Sequence, residues 1–154
     1  MKAEAPVLEI QRILAPTDFS LHAEAALRYA CGLAERLGVT LHLLHVLPDV
    51  VPVGPDPMLA PSLPPEYYTE TEKQSLEALG KAIKPDWGHA PQVETAVRWG
   101  GAVEGVVAYA TDAAIDLIVV ATHGRTGLSH VLLGSVAERI IREAPCPVLT
   151  VRTL

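Results

Sequence analysis

The sequence predicts an α/β protein with a doubly wound parallel sheet covered by helices on both faces. Three observations carry that expectation. Strand-like and helix-like segments alternate along the chain and end on a strand. The segment Leu117-Ile118-Val119-Val120-Ala121 is a continuous apolar run, as a strand buried on both faces requires. The chain has 154 residues, 49% of them apolar, which suits one compact core. Residues 1–154 are accordingly read as a single domain.

The first strand is Arg12 to Pro16, RILAP. Thr17-Asp18-Phe19-Ser20 follows as a turn and helix start. Ala23, Ala26, Leu27, Ala30, Cys31, Ala34 and Leu37 then recur at helical spacing, and Gly38 stands where a helix C-terminal glycine belongs. Val39 to Leu47 is the second strand. From about residue 48 to 65, seven prolines mark an extended excursion rather than a domain linker, because the core pattern resumes beyond it. Tyr67 to Lys84 is expected as a helix with Leu76, Leu79 and Ile83 facing inward, stopped by Pro85. Gln92 to Arg98 alternates as the third strand. Gly100-Gly101 opens a helix carrying Val103, Val106, Val107 and Ala110. The fourth strand is the LIVVA run, the last helix spans about Ser135 to Glu143, and Pro147 to Arg152 is the final strand.

Charge and composition exclude several classes. Twelve basic residues face eighteen acidic ones, a formal charge of −6 that argues against a broad nucleic-acid surface. The N-terminal MKAEAPVLEIQ has no long apolar run, and no stretch approaches the roughly 20 apolar residues of a membrane span. The expected location is the cytoplasm. Cys31 and Cys146 form no CxxC pair, Cys31 falls on the apolar face of its helix, and Cys146 lacks a cue for activation. His42 and His45, three apart on a strand, face opposite sides and make no zinc pair. Tyr67, Tyr68 and Trp87 are read as packing or surface residues.

In a doubly wound sheet, ligands bind at the carboxyl ends of strands where the winding reverses. The turns after the first and fourth strands are therefore the places to look. After the fourth strand stand Gly124, Gly127 and Gly134, then Ser135 and Glu138 at capping-box spacing. A helix starting there would aim the N–H groups of Ser135 and Val136 at an anion, with Gly134 letting a phosphate approach the backbone. His123, Arg125 and His130 could compensate charge. Glycines between a strand and a helix are also common in ordinary connections, and neither a Walker loop nor a G-x-G-x-x-G fingerprint is present.

The whole chain, from Gln11 to Arg152, resembles the universal stress protein family. The match rests on Ile13-Leu14-Ala15-Pro16-Thr17-Asp18-Phe19-Ser20, Leu44-His45-Val46, Asp116-Leu117-Ile118-Val119, His123-Gly124-Arg125-Thr126-Gly127, Leu133-Gly134-Ser135-Val136 and Cys146-Pro147-Val148-Leu149. The resemblance implies a Rossmann-like nucleotide-binding fold with strand order 3-2-1-4-5. It further implies ATP, with Mg2+ or Mn2+ held through its phosphates and no metal ligand from the protein alone. The family's ATP-binding branch is marked by G-x-x-G, nine residues, then G-[ST]. Gly124 and Gly134-Ser135 keep that spacing, while Ala121 replaces the first glycine. By the same resemblance, Pro16, Thr17 and Asp18 line the ribose or adenine end and Val46 contacts adenine. Gly134, Ser135 and Val136 hold phosphate, with Ala121, His123, Gly124, Arg125 and Gly127 around them. The implied role is an ATP-dependent sensor or signalling module that also forms a homodimer through an apolar C-terminal edge strand, Val148, Leu149 and Val151. A strictly monomeric mass in solution would contradict that dimer.

Two other readings stand beside it. One is a partner-binding dimer of the same fold that takes no nucleotide, for which Ala121 is the main support. The other is an enzyme, either a slow ATP hydrolase or an enzyme of a related nucleotide fold such as an ATP pyrophosphatase or a phosphotransferase. No S-G-G-x-D-S loop follows the first strand and no base and nucleophile pair converges on the site, so no catalytic residue is assigned. A receiver domain would need an aspartate after the third strand, where the chain reads Val97-Arg98-Trp99.

Overall fold

A computed structural model describes residues 9–50, 63–123 and 133–152. Among the described residues, nine elements follow in the order β1 (Arg12–Pro16), α1 (Leu21–Leu37), β2 (Thr40–Leu47), α2 (Pro65–Gly80), β3 (Gln92–Trp99), α3 (Ala102–Asp112), β4 (Leu117–Ala121), α4 (Ser135–Glu143) and β5 (Val148–Val151). The strands form one parallel sheet in the order β3-β2-β1-β4-β5. Winding reverses between β1 and β4, the expected order and the expected switch point.

Side-chain alternation explains why both faces are covered. Ile13 and Ala15 of β1, Leu41 and Leu43 of β2, and Leu117 and Val119 of β4 share one cluster with the buried stripe of α1 and Leu79 of α2. Leu14, Leu44, Ile118 and Val120 point the other way, into a cluster with α3 and α4. The period of two thus splits each apolar run between two cores. At the amino end of the sheet, the Asp116 carboxylate accepts the N–H groups of Gln11 and Arg12, both at 2.9 Å, and so ties β1 to the start of β4.

The ends of α1 follow from its sequence. The Ser20 hydroxyl accepts the Ala23 N–H at 3.1 Å, and Gly38 takes φ 68 at the C-terminus. The Val39 N–H turns back to the Ala34 carbonyl, so β2 begins at Thr40, one residue later than expected. Two expectations for α2 need correction. The helix stops at Gly80 and passes into tight turns, with Lys81 bonded to Ala78 and Ala82 to Leu79. Pro85 acts at a distance, because its ring would collide with the carbonyl four residues back. Leu76 is 41% exposed, whereas Leu79 is buried and Ile83 packs against the core.

α4 spans the expected residues, but the capping box does not form. Gly134 is the N-cap, and among the described residues no side-chain cap hydrogen bond forms there. The first helical hydrogen bond runs from the Glu138 N–H to the Gly134 carbonyl. Ser135 is therefore the first helical residue, and the Glu138 carboxylate pairs instead with Arg142, one turn on.

Candidate functional site

A cavity of about 240 Å³ opens at the carboxyl ends of β1, β2 and β4. Nine of the twelve expected site residues line it together. Pro16, Thr17 and Asp18 come from the end of β1, Val46 from β2, Ala121 and His123 from the end of β4, and Gly134, Ser135 and Val136 from the start of α4. Gly124, Arg125 and Gly127, together with His130, lie outside the described residues.

At the α4 end, the Gly134 N–H is already donated to the Thr122 carbonyl at 2.6 Å. Glu138 supplies the first N–H of the helical ladder, so those of Ser135, Val136 and Ala137 precede it. Three donors at the positive end of a helix dipole suit an anion. The structure supplies a packing reason for glycine at 134 beside the expected one. A Cβ there would lie 3.0 Å from the Thr122 carbonyl oxygen, against the backbone after β4. The glycine lets α4 close onto the sheet.

Ala121 is the last residue of β4 and pairs with Val151 in regular register. It is not among the residues with positive φ, so an alanine fits this backbone without strain. Beside it, the Thr122 hydroxyl lies 3.0 Å from His123 Nδ1, and the His123 ring is 5.8 Å from that of His22 on α1.

At the β1 end, the Thr17 N–H extends the ladder to the Leu44 carbonyl at 2.9 Å. Thr17 Oγ1 accepts the Phe19 N–H and Asp18 Oδ1 accepts the Ser20 N–H, each at 3.0 Å. Phe19 itself has φ 61, in the left-handed region.

Apolar side chains from β2, β4 and both flanking helices fill the remaining wall: Leu44, Val106, Val120 and Ile140. The charged or titratable residues among those lining the cavity are Asp18 and His123. Arg139 of α4 donates to the Glu104 carboxylate of α3 at 2.7 Å, which links the two helices.

Thr122, Ala102, Val106 and Phe19 were not foreseen as site features. Gly105 carried a visible signal, a glycine inside a helix pattern. A Cβ at Gly105 would stand 2.9 Å from both methyl groups of Val46, so its absence seats α3 on the residue lining the cleft. The cysteines are not activated: burial pushes the Cys31 thiol up to about 11 and raises that of Cys146 as well. Among the described residues, no three His, Cys, Asp or Glu side chains converge as metal ligands, and no helix is long and apolar enough to cross a membrane.

Fold and cleft together define a doubly wound α/β protein with a ligand-sized site at its switch point. Residues 9–152 match the universal stress protein family model, and the chain belongs to that family. It is 34% identical over 143 residues to universal stress protein MJ0531 of Methanocaldococcus jannaschii, covering 92% of this chain and 82% of the relative. MJ0577 of the same organism is 30% identical over 156 residues, 92% of this chain and 94% of the relative. The solved structure of MJ0577 superimposes with a TM-score of 0.71 at 32% identity, over 94% of this chain and 96% of that one. More distant structures share the fold. A universal stress protein solved in complex with cAMP has a TM-score of 0.62 at 21% identity, over 94% and 98% of the two chains. One from Archaeoglobus fulgidus in complex with dAMP has 0.56 at 20%, over 93% and 98%.

Proposed function

We propose that this protein binds ATP, accompanied by Mg2+ or Mn2+, in the cleft at the switch point, and acts as a nucleotide-dependent sensor in stress response rather than as a catalyst. The observation that carries this reading is convergence. Nine residues singled out from separate parts of the sequence line a single cavity that includes the first residues of α4. The apolar wall of Leu44, Val46, Val106 and Val120 suits the faces of a purine, and Asp18, which lines the same cavity, takes the polar end of the nucleoside in this reading. Phosphates belong at Ser135 and Val136. Few cationic side chains line the described wall, so main-chain donors carry the neutralisation and the divalent ion arrives with the triphosphate.

Ser135→Pro tests the phosphate assignment with little damage to the fold. Proline is favoured at the first helical position, and Gly134, with φ −68 and ψ 150, has the conformation a residue before proline needs. The substitution removes one N–H and one hydroxyl. Calorimetric titration with ATP and magnesium should show saturable binding in the natural protein. In the variant, affinity should be roughly tenfold or more weaker, the worth of a hydrogen bond to a charged group, at a similar melting temperature. Equal heats in the two proteins, or none in the natural one, would refute the assignment.

A further inference from the structure

His45 lies outside the lining of the cleft, yet it holds the turn that forms one end of it. The turn is costly. Phe19 is neither glycine nor asparagine, and a left-handed conformation strains such a residue. Its two internal hydrogen bonds, Phe19 N–H to Thr17 Oγ1 and Ser20 N–H to Asp18 Oδ1, are local and move with it. Among the described residues, its tethers to β2 include the ladder bond from the Thr17 N–H to the Leu44 carbonyl and the contacts of His45. His45 Nδ1 is 2.8 Å from the Thr17 carbonyl oxygen. A carbonyl can only accept, so Nδ1 carries the proton and donates. The same imidazole faces the Phe19 ring, with centroids 4.6 Å apart and planes at 46°. The ring is 8% exposed, so its orientation is set by these neighbours.

We infer that His45 is the positioning residue of the nucleoside end of the cleft. Through one hydrogen bond and one ring contact it keeps Phe19 left-handed, and thereby keeps Thr17 and Asp18 aimed into the cavity they line. The inference rests on the nucleotide reading for its functional consequence but not for its structural one. Without the imidazole, Phe19 relaxes toward an ordinary backbone conformation and Asp18 swings with it, while the α4 donors on the other side of the switch point stay in place.

The test compares His45→Leu, which removes the donor, with His45→Asn, whose amide nitrogen can occupy the place of Nδ1. Each is titrated with ATP and magnesium and, separately, with inorganic tripolyphosphate and magnesium, and melting is followed in parallel. His45→Leu should bind ATP roughly tenfold more weakly, while tripolyphosphate affinity is unchanged. His45→Asn should recover most of the ATP affinity. Amide NMR of Phe19, through its HN–Hα coupling and backbone shifts, should report a left-handed residue in the natural protein and its loss in His45→Leu. A Leu variant that binds ATP normally, that loses ATP and tripolyphosphate in parallel, or that keeps Phe19 left-handed overturns the inference. A natural protein that binds neither ligand refutes the nucleotide reading instead, and the Phe19 measurement still decides the role of His45.

Discussion

His42 sits in the middle of β2 with Nδ1 2.9 Å from the Tyr109 hydroxyl and 3.6 Å from the Glu94 carboxylate. Its Nε2 is buried with no hydrogen-bond partner among the described residues. Burial pushes its pKa below the usual histidine value of 6.5. The attraction of half-exposed Glu94 opposes that shift, and Arg12 adds to it. Burial prevails because an imidazolium here would leave a charged N–H without a partner. The sign of the linkage follows. The folded state favours the neutral ring, so its contribution is fully present above the unfolded value. It is lost as pH falls and the unfolded chain takes up the proton first. Melting temperature should therefore drop as pH is lowered from about 7 to about 5, and His42→Leu should flatten that dependence. Parallel pH profiles for the two proteins would contradict the assignment. The sequence showed that His42 and His45 face opposite sides. It did not show that one closes a polar contact under α3 while the other braces a turn, because both partners, Tyr109 and Thr17, are distant in the chain.

At the scale of elements, glycines decide how closely helices approach the sheet. Replacing a helical glycine with alanine ordinarily gains about 1 kcal/mol. At Gly105 the added carbon would meet both Val46 methyl groups at 2.9 Å, and overpacking costs roughly 1–3 kcal/mol. The steric cost is the larger. Gly105→Ala should lower the urea midpoint, whereas Gly80→Ala, at a position with open space, should leave it unchanged or raise it. A stabilised Gly105→Ala would mean that α3 does not rest on Val46. Element order was legible from periodicity alone, since each strand run and each helical stripe is set by local burial. Helix ends were less so. The capping-box spacing at Ser135 and Glu138 was a true pattern with the wrong reading, because the helix takes its first carbonyl from Gly134. Leu76 likewise has the spacing of a buried residue but is exposed.

For the molecule as a whole, the reversal of winding between β1 and β4 brings Asp18 and Ser135, more than a hundred residues apart in sequence, to one cleft. Nothing local predicts that meeting; the family motifs marked the residues and the topology joined them. The overall charge of −6 makes the local arrangement decisive, because a triphosphate must be held against the field of the whole protein. The most direct measurement is an amide NMR titration of the labelled protein with ATP and magnesium. The account predicts saturable shifts at Thr17, Asp18, Ser135, Val136 and Ala137, with the amides of β3 at the far edge unmoved. Saturable binding that leaves Ser135 and Val136 unshifted, or no shifts at all, would contradict it.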